Sequence, residues 1–227
     1  MMLAENYRKV AATVKPGVRL VAVSKYKTPE EILEVYHAGQ RIFGENKAQE
    51  MKAKQAALPQ DIEWHFIGHL QSNKIKYIAP YVALIHSIDS FALLKEVNKE
   101  AAKNNRVIPC LLQFHIAQEE TKFGLNREEA DAFLASEEFK TLKNVRIDGV
   151  MGMATFTDDT HRIREEFASL HREFDYLKSR YFAQQEHFKE ISMGMSDDYP
   201  IAMEQGSTLV RVGSAIFGAR DYSRKLY

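Results

Sequence analysis

A chain of 227 residues with 45% hydrophobic and 27% charged residues has the composition of a soluble globular protein that can bury a substantial core. Lysine plus arginine equals aspartate plus glutamate, 31 each, so no whole-protein field draws the chain to nucleic acid or to a membrane surface. The single cysteine, Cys110, excludes an intramolecular disulfide, and no run approaches the ~18 apolar residues of a membrane span. The opening residues, Met1 to Arg8, include an early acid and no signal-peptide apolar segment, so a cytoplasmic protein is expected.

Short apolar runs alternate with helical segments from end to end. A helix at about Leu3–Val14 precedes the first strand, Arg19–Lys25. Thr28-Pro29-Glu30-Glu31 then combines an N-cap, a proline at the first helical position and a capping-box glutamate. Further strands are expected at Arg41–Glu45, Glu63–His69, Ala83–Asp89 and Ile108–Ile116. Between the last two, Asp89-Ser90 opens a helix carrying Leu93, Leu94, Val97 and Ala101 on one face. Asn126-Arg127-Glu128-Glu129 repeats the capping pattern. After a strand at Ile147–Ala154, a long helix from about Thr160 to Tyr181 aligns Ile163, Phe167, Leu170, Phe174, Leu177 and Tyr181 in a single stripe for the core. Strands at Glu190–Met195 and Leu209–Gly213 complete a set of eight. No linker or change of composition divides the chain. A single-domain (β/α)8 barrel over residues 1–227, with an extra N-terminal helix, is therefore expected; a doubly wound open sheet is the alternative.

In a barrel the functional groups follow the strands, with a phosphate site after strands seven and eight. Those places hold Ser192-Met193-Gly194-Met195-Ser196-Asp197-Asp198 and Arg211-Val212-Gly213-Ser214-Ala215-Ile216-Phe217-Gly218. Each supplies glycine, for close backbone approach, and serine hydroxyls; Ser214–Phe217 can also open a short helix toward an anion. Lys25 closes the first strand. It is either a solvated strand-end lysine or an amine placed for Schiff-base chemistry at a barrel mouth. A phosphate site in the same mouth points to a phosphorylated carbonyl compound: pyridoxal 5′-phosphate (PLP), or a sugar phosphate in a Schiff-base aldolase. Arg211 is either a solvated turn residue or a guanidinium aimed at a heterocycle. His65 and His69 have the spacing of a helical zinc site, but on a strand they lie ~13 Å apart, so zinc is rejected. His69 and the Gly44-Glu45-Asn46 tripeptide are further candidates for the pocket wall, while Met151 and Met153, at the end of strand six, are expected as core filler rather than cofactor contacts.

Taken together, Val21-Ala22-Val23-Ser24-Lys25, Phe43-Gly44-Glu45-Asn46, Trp64 to Gln71, Ser192 to Asp198 and Arg211 to Gly218 resemble the pyridoxal phosphate homeostasis protein family. The resemblance implies a barrel similar to the PLP-binding domain of bacterial alanine racemases, with Lys25 holding PLP as a Schiff base. It places Asn46 beside the ring, Ser192, Gly194, Gly213 and Ser214 at the phosphate, and Arg211 opposite the pyridine nitrogen. The chain departs from the family pattern at His115 and at Phe123-Gly124.

A PLP carrier is expected in preference to a racemase-like enzyme. An arginine opposite the pyridine keeps that nitrogen unprotonated and the ring a poor electron sink. Only nine residues follow Gly218, leaving Tyr222 and Tyr227 as the available substitutes for a second base. The implied partners are PLP and apo forms of PLP-dependent enzymes as acceptors, with no nucleic acid, no membrane and a monomeric state.

Overall fold

The computed structural model describes residues 2–117 and 124–219. Its eight strands are β1 (Arg19–Val23), β2 (Ile42–Glu45), β3 (Glu63–Phe66), β4 (Leu84–Ile88), β5 (Ile108–Gln113), β6 (Val145–Met151), β7 (Glu190–Ser192) and β8 (Leu209–Val212). All pair in parallel in chain order, and β1 closes on β8 with Arg19 opposite Leu209 and Ala22 opposite Val212. The closed barrel excludes the open sheet. Every expected strand is present, but most stop two or three residues early. The apolar signal runs on past the last ladder bond because the strand ends also turn inward to wall a cavity.

The helices are α1 (Met2–Thr13), α2 (Pro29–His37), α3 (Ala48–Ala57), α4 (Phe91–Lys103), α5 (Arg127–Leu134), α6 (Glu137–Lys140), α7 (Thr160–Arg180), α8 (Tyr199–Glu204) and α9 (Ser214–Phe217). A 3-10 segment, Ser72–Tyr77, makes the crossover from β3 to β4. Thr28 with Glu31 and Asn126 with Glu129 form complete capping boxes, satisfying backbone N–H groups that α2 and α5 would otherwise leave open. On α7, Ile163, Phe167, Leu170 and Leu177 are buried, while Phe174 and Tyr181 pack partly covered against the same core. That stripe faces the barrel wall, where each fully buried large apolar side chain contributes about 1.5–3 kcal/mol. No helix among the described residues is long and apolar enough to cross a membrane.

The main core lies between the outer strand faces and the helices. Inside the barrel the apolar layer is thin: Val21, Leu84, Leu111, Met151 and Leu209. Two residues further along β4 and β8, on the same strand face, stand His86 and Arg211, and the interior becomes polar. At the opposite end Arg19 donates to Glu190 at 2.9 Å.

Gly149 makes the β6–β7 approach possible. Its φ is +156°, and a Cβ there would lie 1.8 Å from the Glu190 carbonyl oxygen, backbone that cannot move aside. Gly149→Ala is expected to destabilise the barrel by about 3 kcal/mol or more, read as a fall in the urea midpoint. An unchanged midpoint would contradict this close approach.

Candidate functional site

The C-terminal ends of the strands surround a cavity of about 390 Å³, within the range of small-molecule sites. Lys25, Asn46, Arg211, Gly213 and Ser214 line it, so the structure gathers these expected residues from β1, β2 and β8 into one place. His69 and Met153 also reach the wall. His115 does not, and Phe123, Tyr222 and Tyr227 lie outside the described residues.

Lys25 is half-buried in the turn two residues beyond β1. Its neighbours are held from below. Tyr26 has a left-handed φ of 63°, and its N–H donates to Glu50 Oε1 at 2.7 Å. The Ser24 carbonyl accepts from Lys54 Nζ at 2.8 Å, and Ser24 Oγ donates to Glu45 Oε1 at 2.6 Å. Lys54 Nζ donates further to Glu45 Oε1 and Glu50 Oε1, both at 2.7 Å. Lys54 and Glu45 are fully buried, and burial pushes the Glu45 carboxyl up to about 7. Farther along the turn, Lys27 is buried on the cavity wall and donates to the Phe217 carbonyl at 2.8 Å. Glu45 was visible in sequence only as part of a tripeptide; Glu50, Lys54 and Lys27 carried no local signal, because buried lysine and glutamate on a short helix read as ordinary surface residues.

Arg211 is 4% exposed. Its Nη1 donates to Ser192 Oγ at 2.6 Å and its Nη2 to the Gly152 carbonyl at 3.1 Å. Burial lowers its pKa to about 10, against the pull of Asp198, which leaves it charged at neutral pH. Behind it, His86 Nδ1 lies 2.8 Å from Ser192 Oγ, and His86 Nε2 lies 2.9 Å from His65 Nδ1. This buried chain fixes the plane of the guanidinium in a thinly packed interior. Burial lowers His65 to about 3 and His86 well below its ordinary value, so both rings are neutral.

These shifts act on stability in opposite directions. The unfolded chain takes up protons on two imidazoles that the fold refuses, so stability falls as pH drops below 6.5. Glu45, raised from 4.5 to about 7, is protonated more readily in the fold, so its effect is a loss of stability as pH rises between those values. Two protons against one leave a net loss of about 1.4 kcal/mol per pH unit on acidification between about pH 6 and pH 5. Urea unfolding at those two pH values checks the sign; greater stability at the lower value would contradict neutral buried imidazoles.

The two loops at the far wall differ from expectation in detail. Ser192 and Gly194 do not line the cavity. β7 ends at Ser192, whose side chain points into the barrel and is engaged by Arg211 and His86. Gly194 has φ +95°, and a Cβ there would come within 2.6 Å of the Ala202 Cβ, so it serves close packing on α8. The loop reaches the cavity only at Met195, Ser196 and Asp197. Ser196 Oγ accepts from the N–H groups of Gly213 at 3.1 Å and Ala215 at 3.4 Å. Ser196 thus stands where Ser192 was expected, opposite Gly213 and Ser214.

His65 is inside the barrel and His69 outside β3, 3.2 Å from an Asp89 oxygen, so the pair does not share a site. Among the described residues no group of three or more His, Cys, Asp or Glu could hold a metal. Cys110 is buried, and burial pushes its thiol far up, away from reactivity.

The fold and the order of these segments have close counterparts. The family described as alanine racemase, N-terminal domain, matches residues 2–221. The pyridoxal phosphate homeostasis protein of Aquifex aeolicus is 40% identical over 205 residues, covering 90% of this chain and 88% of that protein. That of Escherichia coli K12 is 38% identical over 212 residues, with 92% and 88% covered. The structure of PipY from Synechococcus elongatus PCC7942 with PLP bound superposes with a TM-score of 0.86 at 35% identity, over 95% of this chain and all of that one. Alanine racemase from Bartonella henselae shares the fold alone, at a TM-score of 0.69 and 18% identity, over 100% of this chain and 61% of that one. The chain belongs to the pyridoxal phosphate homeostasis protein family, built on the barrel of the alanine racemase N-terminal domain.

Proposed function

We propose that this protein binds PLP, holds it as a Schiff base on Lys25, and takes part in PLP homeostasis as a carrier without robust turnover. The observation that carries the reading is the convergence of Lys25, the buried cation Arg211 and the Gly213–Ser214 turn on one cavity of about 390 Å³. The residues fit the group. Asn46 Oδ1 is buried on that wall without a hydrogen-bond partner and is suited to a ring hydroxyl. The Ser196 and Ser214 hydroxyls are available to a phosphate beside the Gly213 turn, and Lys27 adds positive charge on the same wall.

PLP, when bound, supplies a reactive aldehyde. Lys25 would supply the primary amine that condenses with this aldehyde, with loss of one water. Passing the aldehyde to an acceptor's amine would return the Lys25 amine and need no oxidant. Arg211, charged and donor-only, would hold a pyridine nitrogen facing it unprotonated and so disfavour electron withdrawal into the ring. Ser192 and His86 keep the guanidinium in place for that task. Apo PLP-dependent enzymes are the proposed acceptors, the proposed state is a monomer, and the buried thiol of Cys110 accords with a reducing, cytoplasmic setting.

A racemase-like activity is the competing reading, since the barrel is shared with alanine racemases. Incubation of PLP-loaded protein with L-alanine in deuterated water separates the two. The carrier reading predicts no α-deuteration above that of free PLP, together with reactivation of an apo PLP-dependent enzyme. Sustained α-deuteration with catalytic turnover would overturn it.

A further inference from the structure

We propose that the buried Glu45–Lys54–Glu50 cluster is a positioning device for the Lys25 amine. This rests on the reading of Lys25 as the group that captures PLP. Neither Glu45, Glu50 nor Lys54 lines the cavity. Both residues that flank Lys25 are nevertheless bonded to the cluster: Ser24 through its carbonyl and hydroxyl, and Tyr26 through its N–H. Tyr26 is held at φ 63°, a conformation that a residue with a Cβ adopts only when its surroundings impose it.

Stability alone is a poor explanation for the cluster. Two carboxylates and an ammonium lose their hydration on burial, and apolar residues of similar volume would pack α3 on β2 as well or better. Apolar residues could not accept the Tyr26 N–H or donate to the Ser24 carbonyl. Those two bonds set the direction in which the intervening side chain leaves the turn. Glu50 and Lys54, one helical turn apart on α3, are therefore positioning residues.

The test compares Glu50→Leu, which keeps volume but removes the acceptor, with Glu50→Gln, which keeps a carbonyl oxygen for both Tyr26 and Lys54. Capture of PLP is read as the rate of forming a borohydride-fixable adduct at Lys25. Binding of pyridoxine 5′-phosphate, which has no aldehyde, reads the ring and phosphate contacts alone. Glu50→Leu is expected to slow capture about tenfold to a hundredfold with pyridoxine 5′-phosphate affinity within about twofold, and Glu50→Gln to behave as wild type. The triple variant Glu45→Gln/Glu50→Leu/Lys54→Met removes all three charges together and carries the same expectation should the single variant not fold. Capture at the wild-type rate by the leucine variants, or a matching loss of pyridoxine 5′-phosphate binding, would overturn the proposal while leaving the functional reading intact. Wild-type protein that forms no adduct at Lys25 would overturn both.

Discussion

Lys25→Ala is expected to abolish the covalent PLP adduct while leaving the barrel folded. Lys25 sits in a turn outside the β1 ladder and is half-buried, so its removal leaves no cavity in the core. What remains is the cavity wall proposed to recognise a ring and a phosphate: Asn46, Arg211, Ser196, Gly213 and Ser214. Non-covalent PLP should therefore still bind, but at least about a hundredfold more weakly, a loss of about 2.7 kcal/mol. The yellow, borohydride-reducible absorbance of the wild-type complex should be missing altogether. Equilibrium dialysis and the visible spectrum read the two effects separately. A variant that keeps a reducible adduct would move the role to another amine on the same wall, of which Lys27 is the nearest in sequence.

Lys54→Met is expected to have the largest effect on stability among single changes in the site. Lys54 Nζ is fully buried and supplies hydrogen bonds to Ser24, Glu45 and Glu50. Methionine fills a similar volume but leaves the glutamates facing each other without a counter-charge. Breaking a buried pair from one side costs about 3–5 kcal/mol. Glu45, whose carboxyl is already raised to about 7 by burial, would respond by holding its proton to higher pH. Adding Glu45→Gln and Glu50→Gln to Lys54→Met removes the stranded charges and should recover most of the loss. Urea unfolding of the single and triple variants checks this; equal stability of the single variant and wild type would contradict the burial of the cluster.

The barrel was legible because its signals are local and repeated. Eight apolar runs, capping boxes at Thr28 and Asn126, and the α7 stripe each follow from short-range spacing. Strand ends were less legible, since residues such as Ile67 and Met153 extend an apolar run while serving the cavity. Of the site, Lys25, Asn46, Arg211, Gly213 and Ser214 could be read from motif and position. Ser192 was expected on the cavity wall but lies behind it, because a serine at a strand end reads the same whether it faces a cavity or, as here, a buried arginine and histidine. Its replacement on the wall, Ser196, lay in the same loop, and which serine reaches the cavity depends on where the three-residue strand β7 stops. Glu50 and Lys54 are one turn apart on α3 and read as a surface pair; their closure on Glu45, like the His65–His86 contact, is a tertiary juxtaposition that no single segment shows.

Lys25 is the amine proposed to capture PLP. Peptide mass mapping of wild-type protein, loaded with PLP and reduced with borohydride, tests it directly. The predicted result is a single phosphopyridoxyl modification on the peptide that contains Lys25, with Lys27 and Lys54 unmodified. Modification spread over surface lysines, or confined to a residue other than Lys25, would contradict it.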